Sequence, residues 1–239
     1  KMYGRDGVLT PMPTKSIVSI AERLNIADLA ISNSRADVEI QTLVAAYGYS
    51  SAKLNEGKAL YDTALTAVTA QKFAAGEQRE TTQELARAAV SARDAYQSLA
   101  KVARAIFKND KARLTALGLT SPMPEASAEF LAAAASLFDN AAQASDLEAY
   151  GYDPERLGSE REKITAFKLA DQRQEAAKGA AQQASREQLA AMASLDAWRA
   201  QYIKIARVAL REKKQLLEKI GVPARTSARR VTPPTPTAA

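Results

Sequence analysis

Lys101 to Leu119 reads KVARAIFKNDKARLTALGL, and Lys204 to Val222 reads KIARVALREKKQLLEKIGV. The two strings stand 103 residues apart, and the same register carried upstream without a gap sets Ala46-Tyr47-Gly48-Tyr49 against Ala149-Tyr150-Gly151-Tyr152. Between residues 47–119 and 150–222 there are 17 identities in 73 aligned positions. They gather at glycine-containing junctions and in the last stretch. Several differences there keep size or charge: Val102 against Ile205, Phe107 against Leu210, Lys108 against Arg211, Leu117 against Ile220. An internal duplication in which both copies keep one kind of core leaves this pattern.

Composition points the same way for both copies. Alanine is abundant, only 6% of residues are aromatic, and β-branched residues never build an alternating run, so helix is expected almost throughout and no sheet. A chain of 239 residues suits two similar halves. With no Cys there is neither a disulfide framework nor a thiolate metal site. With no His the commonest metal ligand and general base are missing, and a di-iron bundle, which needs Glu-x-x-His pairs, cannot be built. No cofactor, metal site or catalytic constellation is expected. No apolar run approaches the roughly 18 to 20 residues that span a bilayer. Lys1 is no initiator Met, and neither a signal peptide nor a compartment is legible.

The net charge is +6, but seven basic and two acidic residues fall between Arg211 and Arg230, which leaves the body nearly neutral. A nucleic-acid-binding domain usually carries its basic face across the folded part.

Residues 1–13 contain Gly and Pro without a period and read as an extended lead-in. A helical pattern begins at Thr14 as N-cap, is interrupted at Ser32-Asn33-Ser34 with a kink placed at Asn33, and closes at Tyr47-Gly48-Tyr49. A second helix starts at Ser50 or Ser51 and carries Leu54, Tyr61, Leu65 and Val68. Its pattern weakens at Phe73-Ala74-Ala75-Gly76. Compactness favours a turn at Gly76, because one rod from Ser51 to Leu117 would run roughly 100 Å. A third helix from Thr81 or Thr82 shows a heptad, with Leu85, Ala92, Leu99 and Ile106 in one position and Ala88, Ala95 and Val102 in the other. It is expected to run to the glycine cap at Leu117-Gly118-Leu119.

The second copy repeats the punctuation. Ser121-Pro122-Met123-Pro124 answers Thr10-Pro11-Met12-Pro13, and Ile220-Gly221-Val222 answers the earlier glycine cap. Its first helix, with Phe130, Ala133, Ala134 and Leu137, is about two turns shorter, so the copies should differ most there. Asp153-Pro154-Glu155 is a strong helix start. The next pattern carries Leu157, Ile164 and Phe167 and frays at Lys178-Gly179, and the last carries Leu195, Trp198, Tyr202 and Ile205. The fold class expected is therefore all-α: two tandem homologous three-helix units, residues 14–119 and 120–223, forming antiparallel bundles. Residues 224–239 follow as a basic, Pro/Thr-rich, flexible tail.

Three features invite a functional reading. Tyr47, Tyr49, Tyr150 and Tyr152 form either an aromatic surface for a ligand or partner, or tyrosines packed over a helix-capping turn. The position of Gly favours the turn. The repeated Lys-x-Ala-Arg (Lys101 to Arg104, Lys204 to Arg207) is either an anion site or, better, the solvated flank of a helix. Arg225, Arg229 and Arg230 in the tail suit nucleic acid, an anionic membrane or an acidic neighbouring subunit, and suit solvated disorder equally well. Trp198 lies on the apolar stripe beside Leu195 and Tyr202, a core position.

The AYGY corner, the long Ala/Gln-rich helix and the strings "LAKVARAIFKNDKARLTALGL" and "IARVALREKKQLLEKIGV" resemble an uncharacterised group of bacterial all-helical tandem-repeat proteins. The likeness covers Tyr47 to Val222, and it implies a fold but no catalytic or binding residues. The expectation for function is a non-enzymatic structural or protein-interaction module that assembles as a homo-oligomer or with a protein partner. An accessory nucleic-acid-binding protein acting through the tail stands second. An amphipathic helical protein that associates with membranes stands third, with a membrane partner the least expected.

Overall fold

A computed structural model describes residues 18–223. The lead-in at 1–13, the expected cap at Thr14 and the tail at 224–239 with Arg225, Arg229 and Arg230 lie outside the described residues. Among the described residues there is no strand, and the chain is all-α. The helices are α1 (Ile20–Ala36), α2 (Val38–Ala45), α3 (Ser51–Ile106), α4 (Lys111–Ala116), α5 (Ser127–Ala141), α6 (Pro154–Ala209) and α7 (Lys214–Lys219), with a 3-10 helix at Ser145–Tyr150 between α5 and α6.

Helix α1 starts at Ile20, with Ser19 as its N-cap. Ser19 Oγ accepts from the Glu22 backbone N–H at 3.2 Å, and Ser19-x-x-Glu22 has the spacing of a capping box. The interruption in the first helix falls at Asp37, not at Asn33. Asp37 is extended (φ −101°, ψ 111°), ends α1, and caps α2 by accepting from the backbone N–H groups of Glu39 (2.9 Å) and Ile40 (3.2 Å). Ser34 lies inside α1, its buried hydroxyl satisfied by donation to the Ala30 carbonyl at 2.6 Å.

The turn expected at Gly76 does not exist. Helix α3 runs through it for 56 residues, and α6 runs through Gly179 for the same length. Each glycine is flanked by alanines and other strong helix formers, and a single Gly costs only about 1 kcal/mol in a helix. No proline stands nearby to turn that cost into a stop. The second and third helices expected in each half are thus one continuous helix, α3 or α6.

The third helix also ends earlier than expected. Helix α3 stops at Ile106, the Asp110 N–H reaches back to the Phe107 carbonyl (2.9 Å), and Asp110 then caps α4 through the Arg113 N–H (3.0 Å). The second copy bends at the same place, with Lys213 N–H bonded to the Leu210 carbonyl (2.9 Å), although Lys213 gives no side-chain cap. The shared feature is a buried apolar side chain at the bend, Phe107 or Leu210.

Among the described residues four glycines have positive φ: Gly48 (86°), Gly118 (70°), Gly151 (81°) and Gly221 (75°). Each follows a helix, and the residue after it donates back across the last turn: Tyr49 to Val44, Leu119 to Leu114, Tyr152 to Leu147 and Val222 to Leu217, at 2.8 to 3.1 Å. These are the bonds that a left-handed residue permits at a helix end.

Contacts divide the chain into two compact units that do not follow the boundary expected near residue 120. The first unit is Lys1–Val68 with Gln188–Ala239, and the second is Thr69–Glu187. Each therefore takes the beginning of one copy and the end of the other. In the first unit the core gathers Leu24, Ile31, Ile40 and Val44 with Leu54 and Val68, and closes with Leu195, Trp198, Tyr202 and Ile220. In the second, Phe130, Leu137 and Phe138 of α5 meet Leu157, Ile164 and Phe167 of α6, Tyr96 and Leu99 of α3, and Phe107 at the bend after it.

The cores are filled by different side chains at matching positions. The counterpart of Trp198 is Ala95, and the counterpart of Phe167 is Ala64, all four of them buried. In the first unit the bulk comes from the end of α6, and in the second from its start and from α5. Large-against-small exchange of this kind keeps volume while the letters diverge.

Candidate interaction site

The two Tyr-Gly-Tyr corners share one pattern of burial although their neighbours differ. In both, the second tyrosine is buried, Tyr49 in the first unit and Tyr152 in the second. In both, the first is exposed, Tyr47 at 51% and Tyr150 at 58%. The alternation follows from the cap: the residue after the left-handed glycine is folded back over the helix, and the one before it is not. Burial raises the Tyr49 phenol above its ordinary value, an effect that nearby Lys53 opposes. Burial does the same at Tyr152, opposed by Arg156, whose guanidinium lies 4.3 Å from the ring centroid and donates to the Gly151 carbonyl at 3.0 Å. Tyr49 and Tyr152 hold the corners; Tyr47 and Tyr150 remain the two tyrosines offered to solvent.

Around Tyr49 the first unit builds an aromatic cluster. The Tyr49 ring lies 6.0 Å from Trp198 and 5.1 Å from Tyr202, and Trp198 stacks on Tyr202 at 5.2 Å. The Tyr202 hydroxyl meets Ser34 Oγ, a fully buried polar group. Burial raises the Tyr202 phenol, and the Ser34 hydrogen bond works against that rise. Trp198 is thus a core residue, in keeping with its place on the apolar stripe.

The Lys-x-Ala-Arg repeats divide between core and surface. Ala103 and Ala206 are buried, while Lys101, Arg104, Lys204 and Arg207 are exposed. Arg104 has a structural task in the second unit: its guanidinium donates to the carbonyls of Leu119 (3.3 Å) and Ser121 (3.2 Å), beyond the Gly118 cap.

Sequence reading passed over a groove in the second unit, with a volume of about 600 Å³, between α3 and α6. Phe73, Glu77, Glu80 and Glu84 line it from α3, Arg173 lines it from α6, and alanines of both helices form the floor. Phe73 is 71% exposed. Among the described residues no ion pair engages Glu77, Glu80 or Glu84. The signal was present as carboxylates spaced by three and four along one helix face. An expected turn at Gly76 would have separated Phe73 from them.

Among the described residues no helix is long and apolar enough to cross a membrane, and no group of three or more Asp or Glu residues is placed to hold a metal ion. Comparison of the chain with protein-family models, with curated proteins and with solved structures finds no match.

Proposed function

We propose that this protein is a non-enzymatic structural or protein-interaction module that associates with further copies of itself through helical faces. The observation that carries the reading is an exposed phenyl ring beside an alanine-lined groove in the second unit. Residues 69–91 of α3 contain no buried side chain, yet Phe73 and Val90 stand 71% and 61% exposed there. Isolated apolar residues on a surface are ordinary, but a phenyl ring beside an alanine-floored groove is the composition of a protein contact. A long helix with a thin alanine seam offers such a contact along its length.

The test is the mass of the full chain in solution by light scattering across a concentration series. Association predicts multiples of 25.7 kDa that dissociate on dilution, and Phe73→Ser shifts the series toward the single chain. A mass of 25.7 kDa at the highest soluble concentration would overturn the proposal.

A further inference from the structure

The groove of the second unit and the C-terminal segment have opposite chemistries. We infer that the groove walled by Phe73, Glu77, Glu80 and Glu84 receives the segment Ala224–Ala239 of a second copy of this chain. The inference rests on the self-association proposed above and names the contact that makes it.

Charge comes first. Three carboxylates face the groove against one guanidinium, Arg173. The segment ARTSARRVTPPTPTAA contains Arg225, Arg229 and Arg230 and no acidic side chain. Arg suits carboxylates because its planar fork donates two parallel hydrogen bonds to one acid.

Spacing comes second. Glu77 and Glu84 are seven residues apart on α3, about 10 Å at 1.5 Å per residue. Arg225 and Arg229 are four residues apart, at most about 14 Å of chain. With Arg225 against Glu84 and Arg229 against Glu77, and Glu80 between them within reach of either guanidinium, the segment runs opposite to α3. The residues that follow, Val231 to Pro234, then lie on the Phe73 side of Glu77. Proline rings packed on an exposed aromatic side chain are a recurring mode of recognition of such segments. The alanine floor lets an extended chain approach both helices closely.

The experiment uses a labelled synthetic peptide spanning Ala224–Ala239 and the full chain carrying Arg225→Glu, Arg229→Glu and Arg230→Glu, so that its own tail does not compete. Saturable binding at low salt is expected, weakening as salt rises. Adding Glu77→Lys and Glu84→Lys should weaken it at least about tenfold, and Phe73→Ser should weaken it as well. Phe73, Glu77 and Glu80 are exposed and Glu84 is half-buried, and unchanged far-UV helicity confirms the fold. In the full chain the three tail substitutions should lower the solution mass toward 25.7 kDa, and combining them with Glu77→Lys, Glu80→Lys and Glu84→Lys should restore association by reversing both charges.

Absent peptide binding, or binding indifferent to Glu77→Lys and Glu84→Lys, overturns this inference; if the full chain still associates, the proposed function survives by another surface. Peptide binding in a chain that stays at 25.7 kDa overturns the second copy as occupant and the self-association reading together.

Discussion

Trp198 lies so close to the backbone at Gly57 that a Cβ on residue 57 would enter the indole ring. Gly57 sits inside α3, where glycine is otherwise a poor choice. The glycine is there to admit the ring, and the ring fills the core beneath Tyr49 and Tyr202.

Gly57→Ala therefore destabilises the protein even though alanine is the better helix former. Displacing the ring costs about 1–3 kcal/mol, against a helix gain of about 1 kcal/mol. Gly76→Ala is the control. No atom lies within 4 Å of a Cβ there, and about 0.5–1 kcal/mol of stabilisation is expected. Thermal unfolding reads both, and the fluorescence of Trp198, the single tryptophan, should move to the red in Gly57→Ala alone.

At the buried Ser34 and Tyr202 pair the two deletions should be unequal. The Ser34 hydroxyl already donates to the Ala30 carbonyl at 2.6 Å, so it must accept from Tyr202. Ser34→Ala leaves a buried phenol without a partner and should cost about 1–3 kcal/mol. Tyr202→Phe leaves the serine bond to Ala30 intact and should cost less. The double variant should recover part of the Ser34→Ala loss, and chemical denaturation of the four proteins closes the cycle.

The pH dependence has two limits of opposite origin. At Asp37 the hydrogen bond from Lys219 Nζ (2.7 Å) does most to hold the carboxyl below its ordinary value of 3.8, the Ile40 and Glu39 N–H groups add to it, and burial opposes. A lowered folded value means that this stabilisation is present above pH 3.8 and is lost as pH falls through the folded value. Tyr49, Tyr152 and Tyr202 are raised above 10.0, mainly by burial, so their stabilisation is whole below pH 10.0 and is lost as pH rises toward their folded values. Unfolding followed by circular dichroism should show both edges. Asp37→Asn should flatten only the acid one, and an unchanged acid edge would refute the assignment.

The readings that survived in the structure rest on chain-local physics. Glycine caps at 48, 118, 151 and 221 were legible because only a left-handed residue closes a helix in that way. The inward face of α3 was legible because Ala92, Ala95 and Leu99 recur at helical spacing. At the Tyr-Gly-Tyr corners the glycine position made the capping turn legible, but of the four tyrosines read as packed over it only Tyr49 and Tyr152 are buried. The groove at Glu77, Glu80 and Glu84 was not, since its wall on α6 comes from residues nearly a hundred positions away.

By itself the sequence determined the all-helical class, the 103-residue echo and the helix ends at the four glycines, since each depends on a few neighbouring residues and their backbone freedom. Tertiary structure alone decided that α3 and α6 pass through Gly76 and Gly179, and that each compact unit joins the start of one copy to the end of the other. The physical reason is one of scale. A glycine's cost of about 1 kcal/mol is decided by what the rest of the helix packs against, and that partner is distant in sequence.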